Sequence, residues 1–151
     1  MSEQRYDGSK GINIGQGQKM EMKEGELVGA KFESFAFMPK GIAFLGDKVK
    51  MIGAEKVDGK DYYAVKAKLS DASYMLYFDA KTYLLSRMDV TSGEGEKAQT
   101  TTLKFSDYTK KDGVMLPGKY TLSGVMPMDL NFSLDKVEIN GKIDDSWFSV
   151  Q

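Results

Sequence analysis

Apolar and polar residues alternate along most of this chain, and the pattern reads as strand after strand. From Lys48 onward the period is two. Val49 and Met51 open a strand reaching about Glu55, and Val57-Asp58-Gly59-Lys60 is a hairpin turn. The next strand puts Tyr63, Val65, Ala67 and Leu69 on one face and Lys66 and Lys68 on the other. Ser70-Asp71-Ala72-Ser73 then turns into Tyr74-Met75-Leu76-Tyr77-Phe78, which is apolar at every position. A half-buried strand alternates, so one that is apolar on both faces is covered twice or lines a cavity.

Asp79-Ala80-Lys81-Thr82 turns out of that strand, after which Leu84, Met88 and Val90 share a face opposed by Arg87 and Asp89. Ser92 to Glu96 is an acidic, Gly-rich loop tip, and Leu103 and Phe105 mark the following strand. The segment Val114 to Ser123 is broken by Pro117-Gly118. Proline donates no ladder hydrogen bond, so this strand is predicted to bulge there or to lie at an edge. In the last strand Met128, Leu130, Phe132 and Leu134 point one way, whereas Val137 and Ile139 carry the opposite parity. That change requires a break near Asp135-Lys136. The only tryptophan, Trp147, is expected to plug one end of the core.

The N-terminal part is less regular. Tyr6 to Gly11 reads as a tight turn on Asp7-Gly8, and Ile12 and Ile14 as a short strand. Gly15-Gln16-Gly17-Gln18 lacks the Gly-Lys-Ser/Thr of a phosphate loop and has Met20 where a dinucleotide fingerprint needs its third glycine. A bulged or flexible strand end is the better reading. Glu24 to Phe37 is predicted as the helix, with Leu27, Val28, the Lys31 stem, Phe32 and Phe35 on one stripe and Glu26 and Glu33 opposite. Pro39-Lys40-Gly41 should end it, and Ile42 to Leu45 is a second apolar patch, a short helical turn or lid-like segment.

About seven strands in succession, joined by short turns, predict an antiparallel meander. The fold class expected is α+β, mainly β: a curved antiparallel sheet, an incomplete β-barrel of seven to nine strands, packed on one amphipathic helix. At 151 residues the chain is the size of a single domain, 1–151.

Composition narrows the chemistry. The chain has no cysteine and no histidine, which removes disulfides, thiolate sites, and the commonest general base and metal ligand. Lys+Arg is 21 against Asp+Glu 22, spread along the sequence, so no basic field for nucleic acid is expected. No apolar run approaches a membrane span, and the first residues lack the pattern of a signal peptide. The paired carboxylates Asp144-Asp145 and Glu94/Glu96 sit in turn-like segments and read as solvated surface. They do not read as a hydrolytic pair, which needs carboxylates facing each other roughly 5–9 Å apart. No nucleophile signature and no Ca²⁺-loop spacing occurs. Catalysis, cofactors and bound metal are therefore not expected. Ten methionines with eight Phe and eight Tyr supply adaptable apolar surface instead.

Three segments together carry a resemblance: Gly53-x-Glu55-x-Val57-Asp58-Gly59-Lys60 before a strand, Tyr77-Phe78-Asp79-Ala80-x-Thr82-x-Leu84 after one, and Asp107-Tyr108 followed by Asp112-Gly113-Val114-x-Leu116-Pro117. In this order and spacing the chain resembles the outer-membrane lipoprotein-sorting (LolA/LolB-like) superfamily, over about Tyr6 to Phe148. The variants it is most like are the Bacteroidetes-type envelope proteins. The resemblance implies a curved incomplete barrel closed by helices, an apolar interior that accepts lipid acyl chains, and a periplasmic or cell-envelope location. A helix and several strands normally precede the part matching Tyr6-Asp7-Gly8, so the resemblance implies an N-terminally shortened form.

Two functions follow. The first is a non-catalytic module binding an apolar ligand, a lipid or lipoprotein acyl chain, through Phe32, Phe35, Tyr63, Val65, Tyr74, Leu76, Phe78, Met88, Leu103, Phe105, Leu130 and Phe132. The second is a structural or protein-interaction domain of a larger envelope protein in which the same residues are a filled core. There, exposed sheet edges would favour a homodimer. Met75 and Tyr77 are expected on the opposite, outer surface.

Overall fold

The computed structural model describes residues 2–35, 46–69 and 72–150, and only the backbone of Ser2 and of residues 32–35. Within these residues the strands are β1 (Ser2–Tyr6), β2 (Gly11–Gly15), β3 (Gln18–Glu21), β4 (Val49–Val57), β5 (Lys60–Leu69) and β6 (Ala72–Asp79). They continue as β7 (Leu85–Ser92), β8 (Gln99–Ser106), β9 (Thr109–Lys111), β10 (Val114–Leu116), β11 (Lys119–Ser123) and β12 (Leu130–Ser133). The α-helix is α1 (Glu24–Phe35). The chain divides into two compact units, Met1–Phe44 with Asn140–Gln151, and Leu45–Ile139.

In the first unit β1, β2 and β3 form an antiparallel sheet in that order. Asp7 organises the β1–β2 turn: its Oδ1 accepts from the backbone N–H of Ser9 at 2.8 Å and of Lys10 at 2.7 Å. Those two hydrogen bonds hold the Asp7 carboxyl below the usual carboxylate range. The Gly-rich run is neither bulged nor loose. Gly15 pairs with Gln18, and Gln16 and Gly17 have φ of 51° and 78°, a two-residue turn of the primed type that suits strand twist. Helix α1 begins with a capping interaction in which Glu26 Oε2 accepts from the Lys23 backbone N–H at 2.7 Å. Ile12 and Met22 are buried here. Gly11 leaves no room for a side chain, since a Cβ would lie 2.4 Å from the Met22 sulfur and 3.1 Å from Leu27 Cδ2. Helix residues 36 and 37 and the Ile42–Leu45 patch lie outside the described residues.

The second unit is a seven-stranded antiparallel sheet in the order β12-β11-β8-β7-β6-β5-β4, open at both edges. It is the predicted meander, with β9 and β10 inserted as a separate hairpin between β8 and β11. Asp58-Gly59 and Asp112-Gly113 both make two-residue turns with positive φ, as Asp-Gly between strands should. Two bulges bend the sheet. One sits in β4 at Ile52, between Met51 and Gly53, and one in β7 at Ser86.

The bulge at Ser86 changes which leucine is core. Leu85, and not Leu84, pairs with Phe78 and is buried. Leu84 sits in the turn, where its carbonyl accepts from the Asp79 N–H at 2.9 Å. The Pro117-Gly118 interruption separates β10 from β11, and β11 is an interior strand flanked by β8 and β12. Gly118 donates to the carbonyls of Ser106 and Asp107, and a Cβ on it would lie 2.8 Å from the Asp107 oxygen. The last strand stops at Ser133, so the parity break comes just ahead of Asp135-Lys136 and leaves Met128 and Leu134 outside the strand and exposed. Trp147 does not plug a core: it lies in a 3-10 turn, Asp145–Phe148, and is 73% exposed.

Candidate functional site

Register fixes which side chains share a face. One ladder runs across all seven strands as Met51, Val65, Leu76, Met88, Leu103, Leu122 and Leu130. A second follows Ala67, Tyr74 and Val90, and a third joins Tyr63, Phe78 and Leu85. Toward β12, Phe105 pairs with Tyr120 and Tyr120 with Phe132. Because strand side chains alternate, all of these project from one face. Ten of the twelve residues singled out from the sequence are therefore gathered on a single apolar surface. The side chains of the other two, Phe32 and Phe35, lie outside the described residues, although both belong to α1.

Burial grades across this face. Tyr74, Leu76, Met88 and Phe105 are buried, with Leu76 only 1% exposed. Tyr63, Val65, Phe78, Leu103 and Leu130 are half-buried. At the two edge strands the surface opens, Met51 of β4 being 61% exposed and Phe132 of β12 39%. Aromatic pairs stiffen both margins. Tyr120 and Phe132 stack at 4.6 Å, and Tyr63 stacks on Tyr83 at 5.9 Å. The sequence reading missed Leu85, Tyr120 and Leu122 as members of this face. For Tyr120 and Leu122 the alternation Lys119-Tyr120-Thr121-Leu122-Ser123 was the available signal.

The opposite face is polar, with one aromatic group set into it. Tyr62 meets Tyr77 edge-on at 6.3 Å, and the Arg87 guanidinium lies 5.4 Å from the Tyr77 ring centre. Arg87 Nε pairs with Asp89 Oδ1 at 2.8 Å, and the Thr102 hydroxyl donates to the same oxygen at 2.8 Å. Ala64, wholly buried, belongs to this face too. Met75 and Tyr77 thus project outward as expected, but both are half-buried. Desolvation raises the Tyr77 phenol, with Asp89 adding to the effect.

The turn motifs are structural. Asp79 Oδ1 accepts from the N–H groups of Lys81 and Thr82, which lowers its carboxyl. The Tyr108 hydroxyl donates to the Leu85 carbonyl at 2.6 Å, and burial pushes that phenol up to about 12. Lys119 pairs with Asp107 at 2.7 Å. In the first unit an open cleft of about 440 Å³ is lined by Glu3, Arg5, Ser146 and Trp147. Arg5 Nε pairs with Glu3 Oε1 at 2.6 Å on its wall.

The open antiparallel sheet, a meander bent by bulges, is consistent with a LolA-like fold. The chain is similar to a solved LolA superfamily protein from Nitrosomonas europaea, with a TM-score of 0.54 and 14% identity over 93% of this chain and 70% of that one. It is also similar to a DUF1329 family protein from Desulfovibrio piger, with a TM-score of 0.58 and 17% identity over 97% of this chain and 66% of that one. The chain thus spans about two thirds of the length of these structures. No protein-family model and no curated protein matches the sequence. At these identities the likeness is one of fold. Among the described residues no helix is long and apolar enough to cross a membrane.

Proposed function

We propose that the chain is a non-catalytic binding domain of the bacterial cell envelope or periplasm, taking an apolar ligand, a lipid or lipoprotein acyl chain, on the apolar face of the seven-stranded sheet. One observation carries this reading: the apolar ladder stays unbroken across all seven strands, from exposed Met51 to half-buried Leu130, and Phe132 on the same face of β12 is also exposed. A sheet that only needed to bury its own core would close that face with polar residues at its margins. Contacts to ligand are assigned to Tyr63, Val65, Tyr74, Leu76, Phe78, Met88, Leu103, Phe105, Leu130 and Phe132. Residues 1–151 are read as one domain, in keeping with the coverage of nearly the whole chain by both structural matches.

The test is titration with an environment-sensitive apolar dye, followed by displacement with a long-chain fatty acid. Saturable dye binding, displaced by the fatty acid and weakened in Phe132→Ser, is expected. Dye binding that never saturates would return the face to the role of a filled core in a structural or protein-interaction domain, with a second copy at a sheet edge as the partner to seek.

A further inference from the structure

The β4–β5 pairing does something that the spread of charge along the sequence conceals. Lys50 and Lys66 are directly opposite each other in register, and Lys68 follows Lys66 on the same polar face. Lys48, in the 3-10 turn that leads into β4, stands opposite Lys68 if the register is extended by one pair beyond Val49–Ala67. Cross-strand neighbours are about 5 Å apart and alternate residues on one strand about 7 Å apart. Four ammonium groups are therefore gathered at one corner of a protein whose net charge is −1. All four are exposed, and none forms an ion pair with another described residue.

Ordinary roles account for only part of this. A lysine on an edge strand discourages unwanted strand pairing, which covers Lys50. It does not cover Lys66 and Lys68, because β5 is interior, between β4 and β6. Solvating the polar face needs charge but not charge of one sign, and like charges directly opposite are unfavourable. Elsewhere on the sheet several cations find acids, Arg87 with Asp89, Lys119 with Asp107 and Lys56 with Asp61, and Lys104, opposite Arg87, is one cation beside such a pair. Asp47 stands beside Lys48, and Asp89, two strands from Lys66 through Met75 on the same face, is engaged by Arg87 and Thr102. Ile52, two residues after Lys50 and the extra residue of the bulge, is an exposed apolar side chain, whereas Met51 belongs to the apolar ladder.

We propose that this corner docks on an anionic lipid surface, Lys48, Lys50, Lys66 and Lys68 meeting the headgroups while Ile52 enters the interface. Lysines on flexible stems suit a diffuse layer of charge and recognise no fixed bidentate partner. Tyr77, two residues along β6 from the Lys66 partner Met75, is engaged with Tyr62 and Arg87 in a cluster of its own. Basic side chains beside exposed apolar ones are the composition of a surface-lying membrane contact. This contact lies apart from the apolar ladder and does not depend on it.

The experiment is co-sedimentation of the full chain with vesicles of phosphatidylcholine alone and of equal parts phosphatidylcholine and phosphatidylglycerol. Binding to the anionic vesicles only, weakened by salt, is expected. Each lysine near such a surface is worth roughly fivefold in partitioning, so Lys66→Glu/Lys68→Glu should lower it about 25-fold or more. Lys110→Glu/Lys111→Glu, on β9, should have a smaller effect. Lys66→Glu places an acid opposite Lys50, so the fold is not at risk, and a thermal melt confirms it. The proposal is overturned by equal binding to both vesicles, by an unchanged partition for the Lys66/Lys68 variant, or by binding to polyglutamate without binding to vesicles. Dye titration of the same variant keeps the two functions apart, because loss of vesicle binding with intact dye binding separates the corner from the apolar face.

Discussion

The two faces of the seven-stranded sheet are made by the same strands, yet they are specified differently. On the apolar face every strand contributes, and the ladder from Met51 to Leu130 has no polar interruption. On the other face the organisation is local: an aromatic and ion-pair cluster around Tyr77 and Arg87, a lysine corner on β4 and β5, and hydroxyl residues toward β8 and β11. Burial is additive and tolerant of exact identity, so a run of alternating apolar residues suffices to make the first face. Ion pairs and like-charge contacts depend on which residue meets which, so the second face exists only once register is set.

That contrast can be broken by mutation. The largest effect is expected from Leu76→Ala, which should cost about 3 kcal/mol because it removes a fully buried side chain from the centre of the ladder. Its chain neighbour Met75→Ala, on the opposite face and half-buried, should cost about 1 kcal/mol. Paired urea melts measure both, and equal losses would show that the two faces carry the same load. Next comes Tyr108→Phe, expected to cost about 1 kcal/mol through the hydrogen bond to the Leu85 carbonyl. The folded phenol is raised to about 12, so the native state favours the protonated form. Stability from this group is intact below the ordinary tyrosine value and is lost as pH climbs from about 10 through 12. Alkaline melts of the Phe variant should lack that step.

A smaller change of opposite sign is expected at the lysine corner. Lys66→Glu turns a like-charge pair with Lys50 into an attractive one and should raise stability by about 0.5 kcal/mol, an increment that fades in high salt. Smallest is the acid response of the turns. Asp7, Asp79 and Asp144 are all lowered by backbone N–H donors, so their contribution is present above the ordinary carboxylate range and falls away as pH drops through their folded values. Asp79→Asn should flatten part of that acid limb in a pH series of thermal melts.

Much of the apolar face was legible in the sequence because alternation alone announces it: Tyr63, Val65, Met88 and Leu103 needed no knowledge of their partners. The short polar strands β1 and β3 were not, since Gln18-Lys19-Met20-Glu21 is exposed throughout and holds its place by backbone pairing with β2. Leu85 was misassigned for a different reason. A bulge shifts parity, and nothing in Leu84-Leu85-Ser86 says where the extra residue falls. Trp147 was expected inside on size alone, yet the turn that carries it is capped by Asp144 and leaves the indole in solvent. The lysine corner was invisible because its members are spread from Lys48 to Lys68 and meet only through the register of β4 with β5.

The measurement that bears most directly on the central claim is saturable binding of an apolar dye to the intact chain, with fatty-acid displacement, compared between the parent and Phe132→Ser/Met51→Ser. Both substitutions lie at exposed positions on the edge strands of the apolar face, so the fold should survive them. The account predicts a single saturable phase, displaced by fatty acid and clearly weakened in the double variant. Absence of saturation in the parent, or identical binding in the variant, would contradict it.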